Sequence, residues 1–237
     1  MNLTIPYENK IKEEDKKIIE EYIENNVEEY KNLSIKEFTK AAQRYDSDHA
    51  GIYEMCKDDY PPILEELRGE EFERLLDAGC GTAPMLSLLT KEYPSKHFVG
   101  LDLTPEMIRK AKEKNLPNTE LVVGDCENLP FEAESFDVVI NSQSFHHYPN
   151  PDAFFTSVYK VLKPGGCLIL RDNTGPGWMV WAWNTVLLPL CNLAGHGDVK
   201  AYQLHDVRKL CENADFTIEK LEVQKGHRMH LVARKEG

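Results

Sequence analysis

The 237-residue chain lacks several features, and each absence sets aside a class of function. Its six cysteines (Cys56, Cys80, Cys126, Cys167, Cys191 and Cys211) include no C-x-x-C pair. Neither a disulfide framework nor a thiolate zinc site is therefore expected, and reduced thiols in a cytoplasm are. No dense Lys/Arg run occurs and the formal net charge is −12. A nucleic-acid backbone, whose affinity rests on neutralisation by Lys and Arg, is not the expected partner. The chain opens polar and acidic, so no secretory signal is expected. No clean apolar stretch reaches the roughly 20 residues of a membrane span; the most apolar segment, 175–197, is interrupted by Asn184, Pro189 and Asn192. Internal repeats and low-complexity tracts are also missing. What is present, 41% hydrophobic and 29% charged residues, suits one globular domain with an elaboration.

The chain is organised around residues 75–83, Leu-Leu-Asp-Ala-Gly-Cys-Gly-Thr-Ala. This reads as a short buried strand, a glycine turn and the start of a helix. Glycine serves in such a turn because a Cβ would block both positive φ and the close approach of a ligand. The helix N-terminus that follows offers unpaired N–H groups to that ligand. A dinucleotide fingerprint would place a third glycine at position 84, where this chain has Pro84. Asp77, two residues before the first glycine, aims a carboxylate at the turn and suits a ligand with positive charge.

Before this motif, apolar residues at helical spacing predict an amphipathic helix over 11–31. A capping box, Ser34 to Glu37, predicts a second helix starting at Ser34. After it, a strand at 97–101 ends at Asp102, at the distance where an acidic residue accepts both hydroxyls of a ribose. Thr104 and Pro105 then open a helix. A third strand ends at Asp125 and a fourth covers 136–140. Asn150 caps a helix, 163–166 form a turn, and a strand follows at 167–171. Residues 217–223 and 229–233 read as a closing antiparallel hairpin.

Four segments in order, LLDAGCGTA at 75–83, FVGLDLTPEMI at 98–108, LVVGDCENLPF at 121–131 and FDVVINSQSFHH at 136–147 followed by LKPGGCLIL at 162–170, carry a resemblance. Over roughly residues 40–235 the chain resembles the class I S-adenosylmethionine (SAM) dependent methyltransferases, in their small-molecule, type 11 or quinone-biosynthesis-like branch. The resemblance implies an α/β fold, with a Rossmann-like, doubly wound, seven-stranded, mostly parallel sheet and an antiparallel C-terminal hairpin. It also implies an N-terminal helical cap over 1–69, a SAM-binding domain over 70–237 and a helical insert at 175–197. Ala83 stands where many relatives carry a third glycine.

SAM is the cofactor so implied. Asp77, Gly79, Cys80 and Gly81 would surround it at the turn, Asp102 and Leu103 at the ribose, and Asp125 and Cys126 at the adenine edge. Asn141 would stand at the methyl end, and Tyr45 at the carboxylate end, with Tyr53 a further lid contact. Trp178, Trp181 and Tyr202 are candidates for the acceptor pocket, and the aromatic insert equally suits core cover or a homodimer contact. His146 and His147 are candidate general bases or else positioning residues, with His196 and His205 further acceptor-side candidates.

No metal is expected, because Asn141 is neutral and has no acidic neighbour in sequence. Asn-Ser-Gln-Ser at 141–144 is not the Asn-Pro-Pro-aromatic signature of amino methylation. The function implied is methyl transfer to a small, apolar or aromatic acceptor. A non-catalytic SAM-binding subunit and a nicotinamide-dependent oxidoreductase are the alternatives.

Overall fold

A computed structural model describes residues 26–45 and 56–237. Most of the helix expected over 11–31, and Tyr53, lie outside the described residues. Its first described helix, α1 (Val27–Ala41), runs straight through Ser34, so no helix starts there. The capping-box signal at Ser34 loses to tertiary docking. Ser34 is buried, and Glu37 turns to the Nδ1 of His196 (2.7 Å) and the backbone N–H of Gly197 (2.8 Å).

Helix α2 (Tyr60–Leu67) precedes strand β1 (Arg74–Ala78). There follow α3 (Pro84–Glu92), β2 (His97–Asp102), α4 (Pro105–Glu113), β3 (Thr119–Val123) and β4 (Phe136–Ser142). Next come α5 (Pro151–Val161), β5 (Leu162–Asn173), α6 (Gly177–Ala182), a π-helical turn (Trp183–Leu187) and α7 (Leu188–Leu193). The chain ends with α8 (Leu204–Asn213), β6 (Phe216–Gln224) and β7 (Arg228–Lys235). Proline at the first position of α3, α4 and α5 fits a site whose N–H has no intrahelical partner. Asn150 caps α5 through its side chain, whereas Thr104 makes no such bond for α4. Among the described residues, no helix is long and apolar enough to cross a membrane.

The seven strands form one sheet in the order β3-β2-β1-β4-β5-β7-β6, parallel except for β7, which runs antiparallel to both β5 and β6. The turn expected at 163–166 is a bulge inside β5: Phe136 pairs with Leu162, and pairing resumes only at Val138 with Cys167. Side chains along each inner strand alternate between two cores, as the two-residue period requires. Leu168 and Leu170 join α5 and α8, while Cys167 and Ile169 join α2 and α3. Helix α2, expected within the cap, thus lies in the same core as β1, with Ile63 and Leu67 wholly buried. Each such side chain contributes about 1.5–3 kcal/mol. The strand order reverses between β1 and β4, and a crevice opens beyond their carboxyl ends at such a reversal.

Candidate functional site

A cleft lies at that reversal, lined from the loops after β1, β2, β3 and β4 and closed over by α1. Its floor is the glycine turn. Gly79 has φ of +81° and Gly81 +55°, and both N–H groups of Gly79 and Cys80 donate to the Leu101 carbonyl (2.8 and 3.0 Å). A Cβ on Gly79 would sit 2.1 Å from Ser144 Oγ and 2.9 Å from the Tyr148 hydroxyl, so only glycine fits. Gly81 faces the ring of Tyr45. Ala83 itself takes a left-handed conformation (φ 61°, ψ 44°), the geometry that a third glycine would adopt freely.

Asp102 ends β2 in the cleft. Its Oδ2 accepts from Gly81 N (2.9 Å) and its Oδ1 from Thr104 N (2.8 Å). The carboxylate therefore shapes the turn as well as facing a ligand. Burial raises its pKa, and those two backbone donors hold back part of the rise. Asp125 ends the next loop. Lys31 of α1 reaches Asp125 Oδ2 at 2.7 Å and Glu127 Oε2 at 2.6 Å, stitching the helix over the cleft.

The end of β4 and the loop after it form the opposite wall with Ser142, Gln143, Ser144, His147 and Tyr148. Ser142 Oγ and Gln143 Nε2 are buried with no hydrogen-bond partner. An unpaired buried polar atom costs about 1–3 kcal/mol, so two of them on one wall fit a polar ligand. Asn141 lies behind this wall, wholly buried. Its Nδ2 donates to the Ala78 carbonyl (2.7 Å) and the Tyr148 hydroxyl (3.0 Å), tying β1 to β4.

The model of a family described as a methyltransferase domain matches residues 76–170, which run from β1 to β5 and carry the whole strand-tip wall of the cleft. Over that stretch, about two fifths of its length, the chain is similar to methyltransferase domains. Over 101 residues it is 44% identical to a phthiotriol/phenolphthiotriol dimycocerosates methyltransferase of Mycobacterium leprae, covering 42% of this chain and 37% of that one. Over 118 residues it is 36% identical to a fatty-acid O-methyltransferase of Mycolicibacterium smegmatis, covering 49% and 43%. The chain thus spans about two fifths of the length of these relatives. A SAM-dependent methyltransferase structure from Aquifex aeolicus shares the fold at a TM-score of 0.62 and 19% identity, over 83% of this chain and 97% of that one. So does the cyclase SpnF, at 0.63 and 17%, over 81% and 85%.

The cleft fits SAM by its own chemistry. Gly79, Gly81, Asp102, Leu103, Asp125, Cys126 and Tyr45 line it together, beside the unpaired Ser142 Oγ and Gln143 Nε2. The other anticipated residues, His147 apart, do not line the cleft themselves, and Asp77 feels it through the charge of Asp102. Asp77 is 3% exposed; burial, then the charge of Asp102, push its pKa to about 8. Cys80 turns into the core, its Sγ against the Gly81 carbonyl. Tyr202, expected in the acceptor pocket, is core instead: its ring packs 4.5 Å from that of Phe145. Trp178 (63% exposed) and Trp181 (44%) face outward and do not line the cleft.

Of the two histidines, His147 reaches the cleft and packs edge-on to Phe38 of α1. Burial and the neighbouring His146 push its pKa down. Burial would lower His146 too, but Asp172 above all, with Asp198 and Glu37, lifts it to about 8. His147 is thus the histidine that faces the cleft, and His146, held by Asp172, stands behind it. His196 is bound by Glu37 and His205 lies beside Asp206, both half-exposed.

Lys31, Ser34, Phe38, Gln143, Ser144 and Tyr148 line the cleft without having been anticipated from sequence. The polar run after β4 carried a usable signal, since a glycine as crowded as Gly79 needs close neighbours. Lys31, 94 residues from Asp125, had none.

Proposed function

We propose that this chain transfers a methyl group from SAM to an apolar acceptor by in-line displacement. The reading rests on one observation: Gly79, Asp102 and Asp125, from three successive strand ends, share one cleft with unpartnered donors and acceptors on its far wall. SAM supplies an electrophilic methyl on its sulfonium. Asp102 accepts from the ribose hydroxyls with lone pairs left over from Gly81 and Thr104. The Asp125 and Cys126 edge holds the adenine. Lys31 and Phe38, pinned across the cleft by α1, keep water out, and positioning supplies up to roughly 7–11 kcal/mol in favourable cases.

Two observations favour an apolar acceptor. Residues 175–197 contain no Asp, Glu, Lys or Arg, and they present Trp178, Trp181, Val186, Leu187, Leu190 and Leu193 to solvent. One of the two relatives is also named as a fatty-acid O-methyltransferase. A screen for S-adenosylhomocysteine release across fatty acids, apolar phenols and quinols tests this. Turnover with one of these classes is expected. Calorimetry without heat for SAM would sink the donor assignment. Normal SAM binding with no release from any acceptor would favour a non-catalytic SAM-binding subunit.

A further inference from the structure

Beside the cleft, the loop that follows the apolar insert meets the strand-tip histidines. His146, His147 and Asp198 each bring one donor atom to within 4.8 Å of the others. His146 Nε2 stands 3.4 Å from Asp198 Oδ1, and His147 Nδ1 stands 3.6 Å from the same oxygen. These separations are too long for good N–H···O hydrogen bonds, which run at about 2.7–3.2 Å. They are the right length for two ligands of one ion: donors about 2.1 Å from a tetrahedral centre stand about 3.4 Å apart. We propose that His146, His147 and Asp198 form a binding site for a divalent transition-metal ion, of the zinc or iron(II) kind.

The surroundings are built to hold those donors still. Asp172, 1% exposed, takes His146 Nδ1 on one oxygen (2.7 Å) and the His146 backbone N–H on the other (3.0 Å). A carboxylate on one ring nitrogen fixes the tautomer and aims the other nitrogen at a metal, the usual support of a ligating histidine. On the far side, the N–H groups of Val199 and Lys200 donate to the His146 carbonyl (2.9 and 3.1 Å). The Gly197 carbonyl lies 3.1 Å from His147 Nδ1 and is within reach as a fourth, oxygen ligand. Gly197 is itself wedged against Ser34, where a Cβ would meet the backbone nitrogen at 2.5 Å. Asp198 is therefore clamped at both flanks. Two imidazole nitrogens and one carboxylate oxygen select borderline ions over calcium or magnesium, which prefer all-oxygen sets.

Asp198 lies 51 residues beyond His147, so the sequence around Asn141 showed the two histidines without their carboxylate. Because His147 also lines the cleft, an ion here borders the acceptor end. An acceptor oxygen on its open position would be oriented, and its ionisation favoured. That last step rests on the proposed methyl transfer; the site itself does not.

The test uses the full chain without an affinity tag, stripped with chelator and dialysed. Cobalt(II) chloride is titrated and the visible d–d absorption recorded, with zinc(II) followed by calorimetry. One ion per chain is expected, with an intense band of four-coordinate cobalt. His146→Gln, His147→Gln and Asp198→Asn should each weaken binding at least tenfold. Asp172→Asn, which acts through His146, should weaken it by about 10–100-fold. Thermal melts of the metal-free variants report whether each folds, and Asp198→Asn, near the surface, keeps the test open should a histidine variant fail. Absence of the band, or equal affinity in the wild type and a folded Asp198→Asn, would overturn the proposal. SAM heats measured on the same metal-free samples report on the donor assignment separately.

Discussion

Replacing Asp77 by asparagine is the sharpest probe of the glycine corner. The Asp77 carboxyl group is 3% exposed, and burial, then the nearby charge of Asp102, raise its pKa to about 8. In the unfolded chain an aspartate titrates near about 3.9. Between these values the folded protein holds a proton that the unfolded chain has lost, so stability falls as pH rises through that window. At pH 7 the gap is about three pH units, or about 4 kcal/mol at 1.36 kcal/mol each. An asparagine at this position would keep the shape of the protonated acid and carry no such penalty. Urea denaturation of cofactor-free protein should therefore show Asp77→Asn more stable by about 4 kcal/mol at pH 7, shrinking below about 1 kcal/mol near pH 4.5. SAM binding should respond in the opposite sense. A cationic ligand favours the ionised carboxylate, so wild-type affinity should climb from pH 6 to 8, and the variant should bind weakly without that climb. Equal stability of the two proteins at pH 7 would mean that Asp77 is ionised in the fold, and the reasoning would fail.

Gly79→Ala places a methyl 2.1 Å from Ser144 Oγ at a φ of +81°; it should lose SAM heat in calorimetry and cost at least about 1–2 kcal/mol of stability. Wild-type binding by this variant would show that the turn relaxes freely. Lys31→Met leaves Asp125 and the buried Glu127 without their cation, for a loss of about 2 kcal/mol. An unchanged urea midpoint would mean that α1 is held by its apolar contacts alone. Arg171→Ala strips the buried Asp59 of a partner at 3.1 Å and should cost about 3–5 kcal/mol. Adding Asp59→Asn should recover part of that loss, and strict additivity of the two changes would rule out the coupling.

Some of this protein could be read from the chain alone because the physics involved is short-ranged. The φ angles that Gly79 and Gly81 need and the prolines opening α3, α4 and α5 act within a few residues. The family spacing then placed Asp102 and Asp125 at neighbouring strand ends. Other features were settled only by contacts made across the chain. Ser34 to Glu37 has the local pattern of a helix start, but Glu37 bonds His196 and Gly197, about 160 residues away. Tyr202 sits among residues that suit an acceptor pocket, but its ring completes the aromatic core around Phe145. Lys31 with Asp125, and Asp198 with the two histidines, are juxtapositions that no local period encodes. They arise when sheet order and loop length bring distant carboxylates to one place, and that follows from packing of the whole chain.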